Sequence, residues 1–475
     1  MNQLLLAPTD LLFFRDGRPM GGSLSGNGAA WPLPTVTNAA LHAALWRSGL
    51  ANQSHAHGRN GPDAVNRAER FGSLTTAGPF PVCTQGAAPT WFFPAPADAR
   101  CNPVLDVSGK QTGLGKIENT FTPVAPLSGS KSSNPLPLNV ASLIPPSKDT
   151  TSPWWSEGAW ASYLGTSSRG TSETDRQTHS RVFTKNDADF SSREATIGIG
   201  ISPETGAQDG EHIYSAHYLR LHEGWNLGLF AETAEKFTES EMHGSRRDLI
   251  PELINQSHQL LTGGQQRLCT ASLRILPANE RLPLPLGRTS NFTTATLNCL
   301  VGTQPRHLVK WVLLTPAIFP ALDTISPTHP GGWLPSWIHP TEHTVQLRAP
   351  LPPRNVASES RNAYRTRVQI QPTITACLVA AMVGKPLPVT GWSLGTTENP
   401  EALPRNSGAK STHFAVPAGS VYYFACDSAA AAGQLAAALN WHGDTAGTTI
   451  RNRRSTLLGE KGFGLGVCGT WTPRA

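Results

Sequence analysis

Apolar residues in this chain come in short runs, and the spacing inside each run decides what it can form. Leu4 to Phe14 (LLLAPTDLLFF) reads as a strand. Thr37 to Trp46 (TNAALHAALW) reads as a helix that follows Pro34 and is stopped at Gly49. Alternation returns at Thr196 to Ile201 (TIGIGI), and His212 to Leu221 with Trp225 to Phe230 read as a hairpin turning at Glu223-Gly224. Pro251 to Leu261 reads as a helix with its proline in the first turn, closed by Gly263-Gly264, and Arg267 to Leu276 is extended again. The order is strand, helix, strand, strand, helix, strand.

The second half repeats this more loosely. Leu308 to Thr315 reads as a strand, Thr373 to Val383 (TITACLVAAMV) as a helix, Val421 to Ala425 as a strand and Ser428 to Leu439 as an alanine-rich helix, before a glycine-rich terminal strand. Two copies of β-α-β-β-α-β predict an α+β fold of tandem ferredoxin-like (RRM-like) domains with large loop insertions. The domains fall at residues 1–275 and 305–475. Residues 72–180 and 323–362 are dense in Pro, Gly, Ser and Thr with little periodicity, and they read as large loops. In the first domain the insertion spans about residues 72–190.

Composition narrows the picture only slightly. At 475 residues and 39% hydrophobic the chain can bury real cores, and a net charge of +6 favours an anionic partner without demanding one. Its seven cysteines include no C-x-x-C pair, so neither a zinc site nor a disulfide framework is indicated, and ordinary thiols of a reducing compartment are expected. The apolar N-terminus lacks a basic region and carries Pro8 and Asp10, which argues against a signal peptide. The uncharged apolar run Thr373 to Gly384 is too short to cross a bilayer. A cytoplasmic protein without a membrane partner is expected.

Chemistry-bearing residues gather in a few places. Near the C-terminus, GEKGFGLGVCGTW holds Gly464, Gly466 and Gly469 in the G-x-G-x-x-G spacing of a dinucleotide site. That site needs a helix after its last glycine, and Thr470 to Ala475 with Pro473 cannot supply one, so no cofactor is expected. What remains is Lys461 and a glycine loop, Gly462, Phe463, Gly464 and Gly466, whose N–H groups could face phosphate, or which could be a plain turn before a strand. Arg15, Asp16 and Arg18 close the first strand, either as contacts to an anionic partner or as a turn-closing pair. Arg348, Arg354, Arg361, Arg365 and Arg367 lie within 20 residues with Tyr364 among them, and Arg451, Arg453 and Arg454 form a second cluster. Such interleaving suits single-stranded nucleic acid, and equally a solvated face.

His212, His217 and His222 recur every five residues, and the outer two stand about 33 Å apart on a continuous strand, so they cannot share a metal. His55 and His57 have only Asp63 near them in sequence, and no metal is expected. Trp154, Trp155 and Trp160 read as packing or a protein contact.

Several blocks together resemble a known family. LLFFRDGRPM at Leu11 to Met20, the segment Ser192 to Leu221, LTGGQQR at Leu261 to Arg267, GWSL at Gly391 to Leu394, AVPAGSVYYF at Ala415 to Phe424 and the closing GFGLGVCGTW follow each other as in the RAMP-superfamily third subunit of the type III-B (Cmr) CRISPR effector. The chain departs from that pattern at Met20, at Gln265-Gln266 and in its large insertion. The resemblance implies a non-catalytic RNA-binding subunit that holds the repeat-derived 5′ tag of the crRNA. It implies as partners the large polymerase-like subunit and the backbone RAMP subunit, with target RNA met indirectly. RNA-binding residues are then expected at Arg15, Asp16, Arg18, Gly263, Gly264, Arg267, Arg361, Arg365, Arg367, Lys461, Gly462, Phe463, Gly464 and Gly466, with the loops after Phe14, around Gly263 and at Gly462 to Gly466 lining one basic cleft. Two alternatives stand beside this: a metal-independent endoribonuclease of the superfamily using a histidine such as His42 as general base, and a scaffold that only bridges proteins.

Overall fold

The computed structural model describes residues 1–15, 24–26, 29–50, 74–102, 116–126, 134–145, 152–166, 183–202, 204–236, 246–300, 304–323, 327–352, 359–393, 408–409 and 411–474. It is a mixed α/β chain whose sheets are mostly antiparallel. Six elements organise its first half: β1 (Asn2–Pro8), α1 (Pro34–Arg47), β2 (Thr75–Cys83), β3 (Trp225–Glu232), α2 (Ile250–Gln256) and β4 (Leu268–Ile275). The strands pair antiparallel in the order β2-β3-β1-β4. Short strands extend the sheet at both edges, Gln259–Leu261 on β4 and Thr90–Pro94, Trp154–Ser156 and Thr184–Lys185 beyond β2.

Six more organise the second half: β5 (Arg306–Leu313), α3 (Arg361–Gln369), β6 (Ala376–Met382), β7 (Val421–Cys426), α4 (Ala429–Leu439) and β8 (Gly466–Thr470). Their strands run antiparallel in the order β8-β5-β7-β6. The α4 helix begins where the Ser428 hydroxyl accepts the Ala431 N–H at 3.1 Å, and it buries Leu435, Ala436 and Leu439 against the sheet.

The two sheets share a core. Phe80, Trp91, Phe93 and Phe230 of the first meet Leu308, Val312, Tyr423 and Trp471 of the second. Inside this contact lies a buried ion pair, Lys310 Nζ to Asp98 Oδ2 at 2.9 Å. Among the described residues no helix is long and apolar enough to cross a membrane.

Four sequence readings need correction. Thr373 to Val383 is not a helix: β6 occupies it, with Leu378, Val379 and Ala380 all fully buried because the strand is covered on both faces. A run covered on both sides loses its alternation and imitates a buried helix. The stretch 72–180 is not simply an insertion, since β2 inside it is the second strand of the inner sheet. Pro79 and Pro81 hid it, and they are tolerated because its outer neighbour Thr90–Pro94 pairs only with Val82 and Cys83. Gln208–Leu221 and β3 do not form a hairpin; the former pairs with Ser191–Ile201 in a separate ribbon and the latter with β1 and β2. Finally, β1 stops at Pro8 and α2 at Gln256, so each is shorter than its apolar run.

Candidate nucleic-acid interface

Beyond Pro8 the chain bends and then runs beside the ribbon. Leu12 and Leu219 exchange two backbone hydrogen bonds of 2.8 Å, the Phe13 carbonyl accepts the Gly264 N–H at 2.9 Å, and the Phe14 carbonyl accepts the Ala29 N–H at 2.8 Å. The end of the first strand is thus clamped between the ribbon and the turn Gly263 to Arg267. That turn needs its double glycine. Gly263 has φ +80°, and a Cβ there would lie 2.6 Å from the Phe13 carbonyl oxygen. Gln265 and Gln266 follow at φ +56° and +52°, a left-handed backbone that L side chains rarely adopt.

Side chains complete the corner. The buried Tyr218 donates its hydroxyl to Gln265 Oε1 at 2.9 Å, and Arg267 Nη2 donates to the same oxygen at 3.3 Å. The Arg267 guanidinium lies 5.0 Å from the Tyr218 ring centre, and the Phe13 ring is 5.5 Å from that of Tyr218 at a tilt of 50°. Asp10 reaches Arg220 at 3.1 Å and Arg267 at 4.0 Å, and Glu194 pairs closely with Arg220. Two carboxylates therefore stand with two guanidiniums, and Arg15, exposed and directly after Phe14, adds a further cation. Exposed pairs of this kind add little stability.

The glycine loop near the C-terminus lies elsewhere. Gly462, Phe463, Gly464 and Gly466 are all buried, and Phe463 packs with Ile318, Val389 and Ala415. Gly462 has φ +98° and stands so close to β2 that a Cβ would come within 3.0 Å of the Thr76 carbonyl oxygen. The N–H groups of Gly462, Phe463 and Gly464 go to the carbonyls of Gly459, Leu458 and Pro316. Their donors are spent within the second half, and it is the close approach of Gly462 to Thr76 that sets the loop against the first. By register Thr76 is level with Ala231 and Asn2, whereas the Gly263 turn lies past the level of Pro8 and Cys269, roughly 20 Å along β1. The structure brings Phe13 and Phe14 to the Gly263 turn and leaves the glycine loop apart; residues 16–23, which follow, lie outside the described residues.

Residues 4–471 match the family described as CRISPR-associated protein (Cas_Cmr3). The chain belongs to this family. As a Cas_Cmr3 member it is a CRISPR-associated protein of the Cmr type. No curated protein matches it. Among solved structures it is similar to a chain of the type III-B Cmr-beta complex bound to cognate target RNA, at 13% identity over 89% of this chain and 86% of that one, with a TM-score of 0.34. The same complex with cognate target RNA and AMPPnP gives a TM-score of 0.36 at 13% identity, over the same shares. A chain of a Csm3-Csm4 subcomplex of the type III-A interference complex gives 0.30 at 10% identity, over 90% of this chain and 93% of that one.

Other candidate residues of this Cas_Cmr3 chain divide between surface and interior. Arg361 opens α3, Arg365 is exposed on it, and Arg367 is held by Glu359 through bonds of 2.9 and 3.0 Å. Lys461 is half-buried beside the glycine loop. Arg454 turns inward to the Ala438 carbonyl at 2.6 Å, and burial lowers its pKa. Trp155 and Trp160 are fully buried and serve packing. Asp16, Arg18 and Arg354 lie outside the described residues. No group of three metal-ligating side chains occurs among the described residues. Sequence reasoning missed Tyr218, Phe13, Asp10 and Gln265, since nothing local marks them; only the fold sets them around Arg267.

Proposed function

We propose that this chain is the subunit of a type III-B effector that grips the repeat-derived 5′ tag of the crRNA without cleaving it. Membership of the Cas_Cmr3 family supports the setting. The observation that carries the reading is the exposed corner where Arg15, the Gly263-Gly264 turn and Arg267 converge. Single-stranded RNA is held by cations and planar side chains, and that corner offers both in Arg15, Arg267, Tyr218 and Phe13. Each half is ferredoxin-like in this reading, supported by the repeated connectivity and by the strand orders β2-β3-β1-β4 and β8-β5-β7-β6. The large polymerase-like subunit and the backbone RAMP subunit are its protein partners, and target RNA is reached through them. Arg365 on α3 and Lys461 are secondary phosphate contacts.

The test measures binding of the full chain to RNA bearing the repeat-derived 5′ segment across a salt series. Arg15→Ala should weaken binding and reduce the slope of log K against log salt by about 0.7, the value for one lost phosphate contact on a single strand. An unchanged affinity and slope would remove Arg15 from the interface. Cleavage of that RNA, abolished in His42→Ala, would replace the binding reading with the endoribonuclease one.

A further inference from the structure

We propose that Arg267 is a stacking platform for one unpaired base of the bound RNA and that the Gln265 amide reads a carbonyl on that base, so that the corner selects a keto base. This rests on the RNA-binding reading above and adds what the corner distinguishes.

The hydrogen-bond pattern fixes the orientation of Gln265. Arginine only donates, so the Gln265 atom 3.3 Å from Arg267 Nη2 is the oxygen. That same oxygen accepts the Tyr218 hydroxyl at 2.9 Å, which uses both its lone pairs. The amide NH2 is therefore turned away from Tyr218, on an exposed residue, and it meets no acceptor among the described residues. It cannot readily swing inward. The backbone of Gln265 and Gln266 sits at φ +56° and +52°, anchored by the Gly264 N–H on the Phe13 carbonyl.

Arg267 is prepared in the same way. The Arg267 Cζ lies over the Tyr218 ring, 5.0 Å from its centre, and its side chain remains 29% exposed, so part of the guanidinium is accessible to a second plane. Asp10 stands 4.0 Å from its edge. A guanidinium already balanced by a carboxylate attracts phosphate weakly, while its planar face is unaffected. Stacking, rather than phosphate pairing, is the contact this arginine is built for. A base laid there brings its edge toward the Gln265 NH2, whose donors suit the carbonyls of uracil or guanine, whereas on adenine the acceptors N1 and N7 are each flanked by the N6 amino group, a donor that opposes them.

The experiment compares the full chain and its variants for binding to short oligo(U) and oligo(A) by fluorescence anisotropy, with thermal melting of each variant as a control. The wild-type chain should prefer oligo(U) by about tenfold. Gln265→Glu exchanges the donor for an acceptor of the same shape, and the U-to-A ratio should fall by about tenfold even though the added charge weakens both. Gln265→Met should lose the preference without adding charge. Arg267→Lys keeps the charge and loses the plane, so both RNAs should bind about tenfold more weakly with an unchanged salt slope. A ratio untouched by both Gln265 variants, or full affinity in Arg267→Lys, overturns the proposal while leaving the RNA-binding reading in place. If the wild-type chain binds neither oligonucleotide nor the tag RNA, that reading fails as well.

Discussion

At the scale of single residues, the interior fixes protonation states that the sequence does not announce. His442 is buried, its Nε2 accepts the Gly287 N–H at 3.1 Å, and its Nδ1 therefore carries the proton that it gives the Thr445 carbonyl at 3.1 Å. Burial pushes its pKa down from the ordinary 6.5 to about 4. Between those values the unfolded chain takes up a proton that the folded one refuses, so stability is intact above about pH 6.5 and falls as the pH drops toward 4, by roughly 3 kcal/mol in all. His442→Gln keeps an acceptor and a donor and cannot titrate. Urea unfolding at pH 7 and pH 4 should show a smaller acid loss for this variant, by about that amount, and equal losses would exclude the role. Histidine spacing drew attention in the sequence to His212, His217 and His222 instead, because spacing is visible there and burial is not. Of the residues proposed to face RNA, Arg15 and Arg267 stand out in sequence as cations near glycines. Gln265 does not, because its importance lies in a backbone angle and in two partners, one of them 47 residues away.

At the scale of elements, legibility follows how many faces an element buries. The α4 helix buries one side and carries its own start signal, so Ser428 and the alanines after it sufficed to place it. Ser428→Ala removes the hydroxyl that accepts the Ala431 N–H and should cost about 1 kcal/mol, read as a lower urea midpoint at unchanged slope. No shift in that midpoint would mean that tertiary packing alone sets the helix end. The misread strand β6 has the opposite character: its covered faces erase alternation, and its alanines and leucine have high helix propensity. Turn signals also deceive when the strands beside them have better partners. Glu223-Gly224 separates two good strands, but Trp225 pairs with Cys83 and Leu221 with Ser191, so the turn carries the chain from one sheet to another. Glycine loops share this ambiguity. Gly263 and Gly462 look alike in sequence, yet one shapes an exposed corner and the other closes an internal contact.

At the scale of the whole molecule, the two halves are tied by a polar group inside an apolar contact. Asp98, from the stretch that reads as an insertion, accepts Lys310 Nζ at 2.9 Å and the Tyr423 hydroxyl at 3.1 Å, and it also takes the hydroxyl of Tyr163. Lys310 Nζ sits 3.8 Å from the Tyr163 ring centre. Burial, reinforced by the carboxylate, raises the pKa of both phenols and keeps them as donors, while burial alone lowers that of the lysine. Such a cluster is a poor source of net stability but a strict one of geometry, since breaking it leaves a buried charge uncompensated. Lys310→Met should therefore cost roughly 3–5 kcal/mol, and Asp98→Asn added to it should restore most of the loss, because asparagine carries no charge, still accepts from one tyrosine and can donate its NH2 to the hydroxyl oxygen of the other. Urea unfolding checks the pair, and a double variant no better than Lys310→Met would show that the ion pair is not the tie. The corner at Gly263 is built from the first half alone, from Asp10 and Phe13 through Tyr218 to Arg267. Lys310→Met should then bind short single-stranded RNA as the wild type does at temperatures where both are folded. A matching loss of affinity would mean that the contact between the halves, and not the corner by itself, shapes the RNA surface.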